Sequence, residues 1–210
     1  MSHDEMPQGG LISALESLAE TAPEDGLSLG EFVDALGERA FGIILFAFAL
    51  PVSIPFLYGV PQVVAFPMMF LALQMLAGRD EPWLPSRFRE RNLSLESLQR
   101  MARGGRKWFG WLETLARPRL LVLSAAGAER VIGLVFTVFC ASIMIPLPAT
   151  NTTPGIAIAI ASLGLVTRDG LLILLGLVLG TAWIALLIFV GDAALSMMKD
   201  VVTSWLSGSA

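Results

Sequence analysis

One unit of this sequence occurs twice. Residues 38–55 read ERAFGIILFAFALPVSIP and residues 129–146 read ERVIGLVFTVFCASIMIP. Aligned without a gap, Glu38 and Glu129, Arg39 and Arg130, Gly42 and Gly133, Phe48 and Phe139, Ile54 and Ile145, and Pro55 and Pro146 coincide. Each copy runs into a second apolar stretch that ends on Arg-Asp, at Arg79-Asp80 and Arg168-Asp169. An ion pair, an apolar run, a proline break and a second apolar run describe a helical hairpin suited to a membrane. Such units, duplicated and inverted, are a frame of small transporters.

The charges point the same way. Only 15% of the 210 residues are charged, against roughly 25% in soluble proteins. Residues 40–78, 131–167 and 170–191 carry no charge. About 20 apolar residues cross a bilayer as a helix. Val131–Ala149 and Leu171–Gly191 approach that length, and Ala40–Leu57 does so if its prolines are tolerated. An all-α integral membrane protein is expected, because a soluble helical core does not account for charge-free runs of this length. The first 39 residues hold nine acids and one Arg, unlike the basic start of a signal peptide. The single Cys140 excludes a disulfide framework. The only histidine, His3, argues against a histidine-based catalytic site or a zinc centre. The sequence shows no paired catalytic carboxylates and no phosphate-cradling glycine loop. Neither an enzyme, a cofactor, a metal nor a nucleic-acid partner is expected.

Residues 1–38 form an acidic segment. Gly9–Ala22 sets Leu11, Ile12, Leu15 and Leu18 against Glu16 and Glu20, which predicts a short amphipathic helix. After the turn Pro23-Glu24-Asp25-Gly26, Ser28-Leu29-Gly30-Glu31 fits a capping box that opens a helix through Glu38. Both helices are too short to span and are expected at the membrane surface. Repeat 1 occupies 39–80: a helix Ala40–Leu50, a break at Pro51 and Pro55, which lack backbone donors, and a helix from about Gln62 to Ala77. A basic segment follows at 81–107, with a short surface helix at Asn92–Met101. Arg79–Arg119 holds ten of the fourteen Lys and Arg residues, which places it and the N-terminus in the cytoplasm, near anionic lipid. Repeat 2 and a transmembrane helix fill 129–191. They comprise Val131–Ile145, a break at Pro146-Leu147-Pro148, the polar tip Ala149-Thr150-Asn151-Thr152-Thr153, a helix to about Val166, and Leu171–Gly191. An amphipathic tail at 192–210 is expected along the cytoplasmic surface. Broken backbone at membrane depth survives only in protein or beside water, so the hairpins are expected to be re-entrant. Segment 108–128 either crosses the membrane or lies in the interface. Crossing makes the repeats inverted, and the positive-inside bias favours it.

Several strings carry a resemblance. Leu29-Gly30-Glu31, Asp34-Ala35-Leu36-Gly37-Glu38-Arg39 with Ala40-Phe41-Gly42, Ala49-Leu50-Pro51, Leu73-Gln74-Met75-Leu76-Ala77-Gly78-Arg79 leading to Pro82-Trp83-Leu84-Pro85, and Arg117-Pro118-Arg119-Leu120 resemble the ExoD family of bacterial exopolysaccharide-synthesis proteins. The resemblance covers about residues 27–200. It implies a small polytopic inner-membrane protein linked to exopolysaccharide production and alkali tolerance, and it implies no particular reaction.

The candidate contacts follow from polar groups at membrane depth, which need partners. Asn151, Thr152 and Thr153 at the second tip, with Gln74 in an otherwise apolar helix, are the candidates for solute or ion contact. Glu38-Arg39 and Glu129-Arg130 are candidate gates at two mouths, or interfacial anchors. Pro51, Pro55, Pro146 and Pro148 break helices whose freed carbonyls and half-helix ends can bind ions. The function expected is a secondary transporter of a small polar solute: a basic amino acid or another cationic or zwitterionic molecule, or a coupled ion. A chain this short is expected to dimerise around the pathway. The alternatives are an accessory protein of exopolysaccharide assembly or export, and a lipid scramblase.

Overall fold

The computed structural model describes residues 16–17, 19–23, 25–37, 39–57, 59–100, 103–104, 127–145 and 150–207. They form helices α1 (Leu29–Leu36), α2 (Arg39–Val52), α3 (Val60–Leu76), α4 (Ser86–Arg89), α5 (Ala128–Met144), α6 (Thr152–Thr167) and α7 (Gly170–Ser207). One short antiparallel pairing, Leu27 with Leu93 and Ser28 with Asn92, joins the N-terminal segment to the stretch after α4. No alternating pattern marks these two-residue strands, so the sequence did not announce them. The described residues are all-α apart from that pairing.

Local chemistry explains the helix ends. The Glu31 N–H donates to Ser28 Oγ at 3.1 Å and the Ser28 N–H donates to Glu31 Oε2 at 2.8 Å. This is the expected capping box. α1 stops at Gly37, where φ is 53°, and α2 leaves at 116° to it. Pro51 sits in the last turn of α2 and Pro61 in the first turn of α3. A missing N–H costs little at Pro61, since the first donors of a helix have no internal acceptor. α3 continues through Pro67.

α2 and α3 form one hairpin, and α5 and α6 the other. A β-carbon on Gly133, near the start of α5, would lie 2.7 Å from Ala72 O near the end of α3. One on Gly42, near the start of α2, would lie 2.9 Å from Ser162 O near the end of α6. At the opposite end, Gly155 in the first turn of α6 meets the Val52–Ser53 end of α2. The starts of α2 and α5 and the ends of α3 and α6 therefore share one end of the bundle, the base, and both tips share the other. The hairpins point the same way. The expected inversion is corrected: the repeats are related by a pseudo-two-fold axis along the bundle. The chain leaves α3 and enters α5 at the same end of the bundle. Segment 108–126 itself lies outside the described residues.

The result is an antiparallel four-helix bundle in which α2 packs on α6 and α3 on α5. Its core comes from Phe41 and Leu45 of α2, Met68 and Met75 of α3, Phe136 and Phe139 of α5, and Ile158 of α6. The duplicated glycines let the helices approach where the two units meet. Gly42 faces residues 162, 165 and 166, and Gly133 faces 72, 75 and 76, so the second helices correspond with an offset of 90 positions. The two Arg-Asp pairs are therefore out of step by one. Gly78, with φ 75°, corresponds to Arg168, with φ 53°, and both end their helices in the left-handed region.

α7 runs from the base past the tips. The sequence suggested a break after Gly191, but the helix is continuous to Ser207. No proline follows Gly191, and a single glycine costs only about 1 kcal/mol in a helix. Gly170–Asp200 is the one described helix long and apolar enough to cross a membrane. The bundle helices have 14 to 17 residues, or about 21–26 Å, short of the ~30 Å hydrocarbon core. At the base, Phe32, Val33 and Leu36 of α1 form a second cluster with Ala19, Ala40 and Leu98. Asp34 of α1 pairs with Arg89 of α4 at 2.6 Å.

Candidate functional site

The candidate residues separate into two groups. At the base, Gln74 is 7% exposed and both ends of its amide are engaged. Its Oε1 accepts the Trp83 N–H at 2.5 Å and its Nε2 donates to Trp83 O at 3.3 Å. Gln74 thus clamps the backbone that follows the first hairpin. It sits in the last turn of α3, at the opposite end from Asn151, so Gln74 and the second tip do not meet in one contact.

The Glu-Arg pairs do not mark two opposite mouths, since the starts of α2 and α5 are both at the base. Arg39 opens α2 and is half-buried. Arg130 lies over Gly78, where a β-carbon would come within 2.5 Å of its Nε. This puts a cation at the carbonyl end of α3, while Glu129 occupies the first turn of α5. Both placements suit the helix dipoles. Asp169, 4% exposed, caps α7 by accepting the Leu171 N–H at 2.9 Å. Glu38, Pro146 and Pro148 lie outside the described residues.

At the tip, Asn151, Thr152 and Thr153 are together and half-buried. Asn151 precedes α6 without a side-chain cap, and its carbonyl accepts the Gly155 N–H at 3.1 Å. Trp183 Nε1 donates to Thr150 O at 3.1 Å and ties the tip to α7. Pro51 and Pro55 shape the facing turn, where Ser53 Oγ donates to Ala49 O at 2.8 Å. Sequence reasoning passed over Trp183 and over Gln62, whose Oε1 in the first turn of α3 is buried with no hydrogen-bond partner. Gln62 carries the signal that picked out Gln74: these are the two polar side chains of α3.

An apolar cavity of about 440 Å³ lies beside the first hairpin. Phe48 of α2, Pro67 and Leu71 of α3, the inner face of α1, and the Trp83–Phe88 stretch line it. Phe70 and Trp83 meet edge-on at 6.0 Å between ring centres.

Comparison with known proteins adds the family. The model for "Exopolysaccharide synthesis, ExoD" matches residues 11–189. Protein ExoD of Rhizobium meliloti is 33% identical over 198 residues, covering 89% of this chain and 81% of that protein. An uncharacterized protein of Synechocystis is 28% identical over 188 residues, covering 86% of this chain and 87% of that one. No solved structure matches. The match along residues 11–189 and the 33% identity to Protein ExoD make this protein a member of the ExoD family, whose description links it to exopolysaccharide synthesis.

Proposed function

We propose that the protein is a membrane-embedded accessory component of exopolysaccharide synthesis that works without moving a solute. The observation that carries the membrane part is the outer surface of the bundle. On α3, Val63 is 70% and Phe66 62% exposed, and Phe70 and Leu73 continue the same stripe. On α5, Val131, Leu134 and Val138 form a second stripe. Spacings of three and four residues put each set on one helix face. Continuous exposed stripes as apolar as the core mark a lipid or protein contact surface. Short re-entrant hairpins would present these faces to lipid from one leaflet, with α7 crossing fully.

The basic stretch around the base favours the cytoplasm. α7 then carries the C-terminus to the other side, rather than along the cytoplasmic surface as the sequence suggested. Reporter fusions test this: a cytoplasmic signal is expected after Gly104 and a periplasmic one after Ser207. A cytoplasmic signal at both positions would defeat the arrangement.

The accessory reading rests on the family link to exopolysaccharide synthesis. It predicts that deleting the gene lowers exopolysaccharide and that the pure protein in liposomes moves no amino acid, sodium or proton. Solute-specific flux by the pure protein would overturn it. The transporter reading has lost its inverted frame, yet one observation favours it: the half-buried Asn151–Thr153 tip and the unpartnered Gln62 acceptor. On that reading Asn151→Ala abolishes flux while the protein still folds.

A further inference from the structure

The pseudo-symmetry of the two units gives the apolar cavity a meaning. In the second unit, α7 turns back at Ile173 and climbs the outer groove of its hairpin. Gly164 allows this, since a β-carbon there would lie 2.6 Å from Ile173 N. Gly176 then rests on Ala157 and Ala161 of α6, and Gly180 on the ring of Phe139 of α5.

The offset of 90 positions for α6 and the start of α7, and of 91 for α5, carries these residues onto the first unit. Gly164 corresponds to Gln74, and Ile173 to Trp83. The first unit makes the same return, there held by the Gln74 amide on the Trp83 backbone. It then diverges. Pro82 and Pro85 flank Trp83 and oppose a continuing helix, and the chain turns off into the four-residue α4. Ala157, Ala161 and Phe139, which seat α7, correspond to Pro67, Leu71 and Phe48. All three line the cavity. The cavity stands where the second unit has an apolar helix.

A protein helix is a poor fit there. Ala157 and Ala161, the small residues on which α7 sits, are replaced in the first unit by the larger Pro67 and Leu71. A flexible hydrocarbon chain needs neither a helix's width nor hydrogen-bonding partners.

The rim selects the head group. Trp83 and Phe88, each about half exposed, line the cavity, and exposed aromatic side chains favour the head-group level of a membrane. Arg87 and Arg89 flank Phe88, and Arg91 follows. Arg89 is held by Asp34, and Glu31 and Glu90 add negative charge nearby, while Arg87 and Arg91 are exposed. We propose that this cavity binds one hydrocarbon chain of a membrane phospholipid with an anionic head group, with Arg87 and Arg91 facing the phosphate.

The proposal rests on the membrane reading but not on the accessory role. The full chain, purified in detergent, would be exposed to vesicles of phosphatidylglycerol or of phosphatidylcholine with the same acyl chains. Retained lipid would be counted by native mass spectrometry. At least fivefold more phosphatidylglycerol than phosphatidylcholine should be retained. Ile43→Trp, which fills the cavity, should lower retention about tenfold, and Leu84→Trp serves if that variant fails to fold. Val138→Trp, on the outward face of α5, should retain lipid like the parent. Arg87→Glu should remove the preference for phosphatidylglycerol. Full retention in a folded cavity-filling variant would overturn the site, and equal retention of the two lipids would overturn the head-group assignment. Retained lipid in a protein whose deletion leaves exopolysaccharide unchanged would sink the accessory role and leave the site standing.

Discussion

Single residues divide here into those that let helices touch and those that hold the ends. Gly42 and Gly133 belong to the first kind. A β-carbon on Gly133 would lie 2.5 Å from Leu76 N and 2.7 Å from Ala72 O, both backbone atoms with little room to yield. Gly133→Ala should therefore cost about 1–3 kcal/mol by overpacking, visible as a lower melting temperature, and Gly42→Ala should behave alike. A substitution at Gly133 without effect would mean that α3 and α5 do not pack this closely. Gln74 belongs to the second kind. Gln74→Leu keeps the bulk but orphans the Trp83 N–H and C=O, a loss of about 1–3 kcal/mol. Faster hydrogen exchange at Trp83 would report it. The sequence marked Gln74 as an inward-facing polar residue; its partner, nine residues on, appears only once the chain folds back.

At the scale of elements, helix starts were the most legible feature. The Ser28–Glu31 capping box was readable from four residues because its chemistry is local. It also has a pH signature. The Ser28 hydroxyl, and then the Ser28 N–H, hold the Glu31 carboxyl below its ordinary range. A lowered folded value means that the stabilisation is present above the unfolded carboxylate value and fades as pH falls through the lowered one. Protection of the Ser28 N–H, corrected for the intrinsic pH dependence of exchange, should fall on acidification below the ordinary carboxylate range, and Glu31→Gln should flatten that dependence. The hairpin helices were also visible as charge-free runs, though Pro51 and Pro67 sit inside helices. A proline near a helix end displaces few bonds, and packing outweighs the one lost at Pro67. The join between α7 and its tail was misjudged because amphipathic character changes at Asp192 while the backbone does not.

For the whole molecule the decisive property is the direction of the two hairpins. It can be tested by cross-linking in a Cys140→Ser background. Ser53→Cys with Thr152→Cys places both thiols at the tips, and a short bifunctional maleimide should join them. In an inverted pair these positions would lie about 20–25 Å apart at ~1.5 Å per helical residue, and no product would form.

The sequence by itself determined that the chain is helical, that it carries a duplicated unit and that its charges gather between the copies. Each of these is written in local pattern, where a few neighbouring side chains decide the outcome. Orientation was not. An internal repeat aligns equally well whether the copies run together or opposed, because alignment has no sense of space. Only the seating of Gly133 on α3, of Gly42 on α6 and of Gly155 on the Val52–Ser53 turn settled it. Those contacts join residues 57 to 124 positions apart, and they form only when the two hairpins close on each other.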